Sequence, residues 1–453
     1  MTNLEFNLSN RAGKIKRMNA VNNGPTNPGV RNVKTNFEAY KSLNIPYARN
    51  HDASFYTPYG GEHIVDVHRI FKDFSADEND PASYIFEPTD KYLANTLNAG
   101  TKIFYRLGAA IEHRYKYGTR VPADFAKWAR ICEHIIRHYN EGWANGFEYG
   151  IEYWEIWNEP DCCNPDGTNP CWQGTDDEFI ELYLVASKHL KKCFPNLKIG
   201  GPAFCDPQAT EFKLKFLDAV REKGGVLDFF SYHWYGSAIA GKAPEGWPAF
   251  EETVKYAREF LDAKGFAGVE TILNEWNYIK GWLGDDWRYS TENEKNLKGS
   301  AFVLGTMITA QNSPVDMLMY YDARPCGMNG LFELETYKCQ KPYYSFEIFR
   351  RLAQLGTQVP TEYYNDEIYS IAATDGESYA AAITYFDDDD NCEAREVKAT
   401  FVGLSGRKRV SCFVLDNERD LILTRDEIFT ADEFSLYLNM SPYSSVLVKI
   451  EKV

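Results

Sequence analysis

The stretch IEYWEIWNE at residues 151–159 is short and mostly apolar, and it ends on Asn158 and Glu159. A run of this length and composition reads as a strand buried on both faces, the kind found in parallel sheets. Working outward, seven more runs share its character: IKRMNAV (15–21), IPYARNH (45–51), KIFYRLG (102–108), LKIGGPA (197–203), LDFFSYHWY (227–235), ETILNEW (270–276) and DMLMYYDA (316–323). Between them lie amphipathic stretches. In PADFAKWARICEHIIRHY (122–139), Phe125, Trp128, Ile131, Cys132, Ile135 and Ile136 share one helical face. Thr175 and Glu178 form a capping box at the head of the next helix, and FEETVKYAREFLDAKG (250–265) stops at Gly265. Eight strand-then-helix units with strands this apolar predict an α/β fold, a (β/α)8 TIM barrel. A doubly wound open sheet would want a glycine-rich phosphate turn after its first strand, and Asn22-Asn23-Gly24-Pro25 is not one.

Beyond the barrel the texture changes. Runs such as IYSIAAT, SYAAAITYF, EVKATFV, RVSCFVL and SSVLVKI are separated by turns such as TDGES and DDDDN, and Val446, Val448 and Ile450 alternate with differently facing neighbours. This is the period of strands. The expected division is a barrel over residues 1–350 and an antiparallel β-sandwich over 351–453, packed directly on each other. Asp387 to Asp390 reads as an acidic hairpin turn in solvent, with calcium as the alternative.

Composition narrows the function. Acidic residues exceed basic ones 65 to 49, a net charge of −16, which argues against nucleic acid or an anionic membrane as the main partner. No run reaches the roughly 18 apolar residues of a membrane span, and the N-terminal MTNLEFNLSNRAGKIKRMN has no apolar signal segment, so a cytoplasmic location is expected. The ten cysteines include no C-x-x-C pair and read as free thiols. Cys162, Cys163 and Cys171 cluster in one loop, but tetrahedral zinc sites usually show paired spacing and a fourth ligand, so no metal or cofactor is expected. His134 and His138 stand one helical turn apart on a helix outside the barrel, away from any rim site.

In a parallel barrel, chemistry sits at the C-terminal ends of the strands. The fourth run delivers Glu159 there and the seventh delivers Glu275, each flanked by Trp and Asn. Two opposed carboxylates are what glycoside hydrolysis needs: one protonated to donate to the leaving oxygen, one ionised. Apolar rings desolvate a carboxyl and amide donors stabilise a charged one, so the neighbours supply the means to separate the two.

The segments Tyr153-Trp-Glu-Ile-Trp-Asn-Glu-Pro-Asp161 and Thr271-Ile-Leu-Asn-Glu-Trp-Asn277 resemble the two signature segments of clan A glycoside hydrolases, most of all family 39, that of β-xylosidases and α-L-iduronidases. The resemblance extends to Arg49-Asn-His51, His233-Trp-Tyr235 and the C-terminal sandwich. It implies a retaining mechanism with Glu159 as acid/base and Glu275 as nucleophile. It further implies that Asn158 bonds the sugar 2-OH and that Tyr235 donates to Glu275. Two departures bear on the substrate: Arg49-Asn-His-Asp52 stands where xylosidases commonly have Arg-Gly-His-Gly, and the loop after Glu159 carries its cysteines.

Around the pair, Arg49 is expected to hold the nucleophile ionised, and His51 and His233 to donate to hydroxyls or carboxylates. Asn22 and Asn23, ending the first run, and Glu112, after the third, are candidate sugar contacts, with ordinary structural pairing as the alternative, for Glu112 with Arg106 or His113. Tyr321, Asp322 and Arg324 end the eighth run as a polar cluster. Trp276, with Trp282 and Trp287, is a candidate stacking platform. The resulting expectation is a retaining, exo-acting glycosidase on β-xyloside-like linkages of short oligosaccharides, with the two carboxyl groups about 5–5.5 Å apart. A transglycosidase uses the same residues, and a catalytically silent carbohydrate-binding protein is the rival from outside enzymology.

Overall fold

Eight parallel strands close on themselves in sequence order: Arg17–Asn22, Tyr47–Asn50, Lys102–Leu107, Tyr153–Ile156, Lys198–Phe204, Phe229–Gly236, Glu270–Tyr278 and Met317–Tyr320, the last pairing with both the seventh and the first. The computed structural model describes residues 1–26, 34–52, 63–113, 115–241, 243 and 248–453. Each of the eight expected runs supplies one barrel strand.

Strand alternation builds the interior in layers. At the N-terminal end, Tyr47, Phe104, Tyr153, Phe229 and Ile272 form an aromatic plug, with Tyr47 edge-on to Tyr153 at 5.5 Å and Phe104 to Phe229 at 5.2 Å. Two residues further along their strands come Arg49, Glu155, Ser231 and Asn274, a buried polar layer. The seventh strand then breaks the alternation. Tyr232 pairs with Leu273 but His233 pairs with Glu275, so Asn274 is an extra residue in the ladder. That bulge re-aims the strand and lets Asn274 serve the polar layer while Glu275 reaches the rim directly above it.

The sandwich is corrected at its boundary. Thr2–Asn7 pairs parallel with Arg395–Val402 in a three-stranded sheet, and Gly13–Lys14 pairs with Thr357–Val359 at the edge of the larger sheet. The first 14 residues therefore belong with the C-terminal strands rather than with a barrel beginning at residue 1. Apolar alternation in Thr2–Asn7 buries Leu4 and Phe6, and Phe6 stacks on Phe401 at 4.9 Å. The remaining strand pairs of the sandwich are antiparallel.

Barrel and sandwich meet across the helix Leu297–Gln311, every residue of which is buried. A helix buried all round needs cover on all sides. Here Phe302 touches Trp276 of the barrel and Phe386 of the sandwich. The acidic turn is not a solvated hairpin: Asp390 Oδ1 receives the buried Lys298 ammonium at 2.9 Å, and Asp388 accepts from the Tyr278 hydroxyl at 2.6 Å. It clasps the sandwich to the rim side of the barrel. No helix among the described residues is long and apolar enough to cross a membrane.

Candidate active site

The fourth strand leaves the barrel through a contorted turn. Trp157 and Glu159 both take positive φ, 81° and 47°, which side chains other than glycine rarely adopt. Several contacts over-determine the turn. Trp157 N–H donates to Leu107 O and its indole to Cys171 O, both at 2.9 Å, and Glu159 N–H donates to Ala203 O at 2.9 Å. The Trp157 ring lies over Gly108, where any Cβ would sit 2.8 Å from it. The strained backbone throws the Glu159 side chain over the barrel mouth.

Arg49 organises the floor beneath. Wholly buried, it donates from Nε to Glu155 at 2.6 Å, from Nη1 to Glu275 Oε1 at 2.7 Å and Asn22 at 3.2 Å, and from Nη2 to Asn158 Oδ1 at 2.6 Å. Glu155 also accepts from Ser231 and Asn274, each at 2.6 Å. Sequence reading missed Glu155, although a signal was present: a glutamate inside an apolar strand is a buried charge that demands a cation. Because Arg49 takes the carbonyl end of Asn158, the amide NH2 is the end left for a ligand.

The two glutamates face each other across His233. His233 Nδ1 lies 2.7 Å from Glu159 Oε1, its Nε2 lies 3.6 Å from Glu275 Oε1, and one carboxylate oxygen of each glutamate is within 4.8 Å of the other. Glu275 has two strong donors, Arg49 on Oε1 and the Tyr235 hydroxyl on Oε2 at 2.9 Å. Glu159 has no lysine or arginine within bonding distance among the described residues. Burial first, then the neighbouring Cys162 and Asp161, push its carboxyl up to about 8. Burial also raises Glu275, with His233 and Arg49 pulling it back. Two direct donors, one of them charged, favour the ionised form of Glu275. Burial also lowers His233, with the Glu275 carboxylate opposing it.

A cleft of about 670 Å³ opens above the pair, lined among others by His51, Asn158, Tyr235, Trp234 and Trp282. Three expectations are corrected. Trp276 is fully buried, edge-on to Tyr320 at 5.3 Å behind the strand, so it packs the core and is no platform. Trp282, 44% exposed and edge-on to Tyr235 at 5.1 Å, stands on the rim of the cleft. Glu112 points into its own loop, accepting from Tyr117, Gly118 and Thr119 N–H at 2.8–3.2 Å. Asn23 lies behind the wall, donating to Asp322 at 2.9 Å and accepting from Asp52 N–H at 3.1 Å. Arg49 and His233 likewise act through the carboxylates and Asn158 rather than by lining the cleft. His51, in the cleft, sits 3.4 Å from Glu275 Oε1. The eighth-strand cluster converges on Asp52: the Tyr321 hydroxyl donates to its carboxylate, and Arg324 bridges Asp52 at 3.3 Å and Asp322 at 2.6 Å. Burial opposes a charge on Asp52, but His51 and Arg324 hold it far below the usual carboxylate range.

Fold and site together define a parallel α/β barrel bearing a facing carboxylate pair on its C-terminal rim. The family model for glycosyl hydrolases family 39 matches residues 43–277, which contain both glutamates, and the chain belongs to that family. A β-xylosidase of Geobacillus stearothermophilus is 32% identical over 212 residues, 44% of this chain and 37% of that protein. One from Caldicellulosiruptor saccharolyticus is 28% identical over 168 residues, 35% of this chain and 32% of that protein. The matched region thus spans about a third of the length of these curated relatives. Among solved structures, a glucosidase from Croceicoccus marinus superposes with a TM-score of 0.80 at 20% identity, covering 100% of this chain and 99% of that one. A monomeric β-xylosidase from Caulobacter crescentus gives 0.76 at 17% identity, covering both chains fully. At these identities the likeness is one of fold.

Proposed function

We propose that the chain is a retaining, exo-acting glycoside hydrolase of β-xyloside-like linkages in short oligosaccharides, with Glu275 as nucleophile and Glu159 as acid/base. The observation that carries the reading is the approach of their oxygens to within 4.8 Å across His233. Retaining pairs sit about 5–5.5 Å apart, whereas inverting pairs leave roughly 6.5–9.5 Å for a water.

In the first step a Glu275 oxygen attacks the anomeric carbon, the glycosidic C–O bond breaks, and the leaving oxygen takes the Glu159 proton. Arg49 and Tyr235 keep the attacking carboxylate charged and aimed. In the second step Glu159, now ionised, takes a proton from water, whose oxygen attacks the same carbon and releases Glu275. The Asn158 amide donates to the sugar 2-OH, a contact that strengthens as the ring becomes cationic. The relatives named as β-xylosidases support a neutral pentose as the sugar. A panel of nitrophenyl glycosides tests this: the β-xyloside is expected to turn over fastest, and its first-formed product to be the β-anomer. An α-anomer as first product contradicts the mechanism, and no turnover of any glycoside contradicts the activity.

A further inference from the structure

The wall of the cleft beside Glu159 is built of sulfur. Cys162 lies three residues beyond Glu159, Cys171 lies on the far limb of the same loop, and Cys205 follows the fifth strand. Cys162 Sγ, Cys205 Sγ and a Glu159 carboxylate oxygen all lie within 4.8 Å of one another, and Cys171 Sγ is 3.8 Å from Glu159 Oε2. Cys162 interacts with both Cys171 and Cys205, which lowers its thiol and raises theirs.

We propose that Glu159, Cys162, Cys171 and Cys205 form one tetrahedral site for a zinc ion, and that filling it takes the acid/base out of the reaction. Zinc bonds sulfur at about 2.3 Å and carboxylate oxygen at about 2.0–2.2 Å in a tetrahedron, which places neighbouring ligand atoms about 3.5–3.8 Å apart. The atoms of Glu159, Cys162 and Cys205 need contraction of about 1 Å, and Cys171, 3.8 Å from Glu159 Oε2 but outside that mutual 4.8 Å group, closes further on the other two sulfurs to complete the tetrahedron. Glu159 Oε1 is held by His233, so Oε2, the oxygen nearest Cys171, is free to ligate.

The site is also braced. Cys205 N–H donates to Asp161 at 3.0 Å, Cys171 N–H to Asn169 at 2.8 Å, and Asn169 in turn to Pro160 O at 2.8 Å. Ligands held this way lose little freedom on binding. Cys162 and Cys205 line the cleft, which gives the ion its way in and its displaced thiol protons their way out. The sequence expectation of no metal rested on a missing fourth ligand, and the fold supplies Cys205 and Glu159. Among the described residues, the other thiol-containing group, Glu133, His189 and Cys193, offers one sulfur and is only half-buried.

The test uses the full chain, reduced and stripped of metal, titrated with Zn(II) against a chromophoric chelator. One ion per chain is expected. Cys171→Ser and Cys205→Ser should each weaken binding by more than the roughly 10–100-fold that losing a mere supporting partner costs. Cys193→Ser should bind as the wild type does. Cys162→Ser, at a half-exposed position, keeps the comparison readable if a buried variant misfolds. Co(II) in place of zinc should give sulfur-to-metal charge-transfer absorption that the serine variants reduce. Wild-type affinity no tighter than that of the serine variants, or a cobalt spectrum without sulfur character, overturns the site. The inhibitory consequence rests on the acid/base role proposed above: equimolar zinc should abolish β-xyloside hydrolysis and EDTA should restore it. A zinc-loaded chain that turns over at the metal-free rate removes Glu159 from the ligand set. Failure of the glycosidase reading shows separately, as a metal-free chain with no turnover while the binding curve stands.

Discussion

The two sides of the barrel mouth carry the same residue type in opposite surroundings. On the seventh-strand side, Glu275 rests on the Arg49 guanidinium and the Tyr235 hydroxyl, with His51 close by. On the fourth-strand side, Glu159 meets His233, three thiol groups and the Asp161 carboxyl, with no lysine or arginine within bonding distance among the described residues. Burial raises both carboxyls. What separates them is whether donors are supplied to the charged form, and a single buried arginine decides which glutamate receives them.

Removing either carboxyl should break the asymmetry hardest. Glu275→Ala is expected to lower kcat/KM on the order of 10⁴-fold or more, with azide restoring turnover through a product of inverted configuration. Steady-state rates and the product anomer check this. Glu159→Ala should cost about 10²–10⁴-fold on substrates with poor leaving groups and far less on dinitrophenyl glycosides, whose leaving group needs no proton. Equal losses on both would separate Glu159 from proton donation.

Arg49→Met strands Glu155 and Glu275 without their cation, and an uncompensated buried charge costs about 3–5 kcal/mol. A large fall in Tm is expected, together with a rise in the acid limb of the pH profile as Glu275 protonates more readily. For the wild type the profile is bell-shaped. Activity is lost at low pH as Glu275 takes up a proton, above the ordinary carboxylate range, and lost again as the pH rises through about 8 and Glu159 gives its proton up. Glu159→Gln, assayed on an activated substrate, should lack the alkaline limb. The smallest catalytic effect is expected at the rim: Trp282→Ala should raise KM about 2–13-fold, the equivalent of the roughly 0.5–1.5 kcal/mol of an aromatic contact, and leave kcat in place. Trp276→Ala should do the reverse, costing about 3–5 kcal/mol of stability with little change in KM.

The barrel was legible because its strands are short apolar runs each ending in polar residues, and strand order follows chain order. Both glutamates were legible for the same reason, since a strand end in a parallel barrel has a known place. The misassignments share a cause: they concern which way a side chain turns one or two residues past a strand. Trp276 follows Glu275 directly, and in a strand the next side chain points to the opposite face, toward the helix Leu297–Gln311. Glu155 was hidden because nothing local says that its partner, Arg49, lies two strands away. Cys205 joins Cys162 and Cys171 only through adjacency of the fourth and fifth strands, and Thr2–Asn7 joins the sandwich by a pairing almost 400 residues distant, both invisible to periodicity.

The most direct test is to trap the covalent intermediate. Incubation with an activated 2-deoxy-2-fluoro glycoside of a sugar the chain hydrolyses should inactivate it, and peptide mass spectrometry should place one glycosyl group on the peptide containing Glu275. A label on any other residue, or no label with release of an inverted sugar, contradicts the double displacement by Glu275 and Glu159.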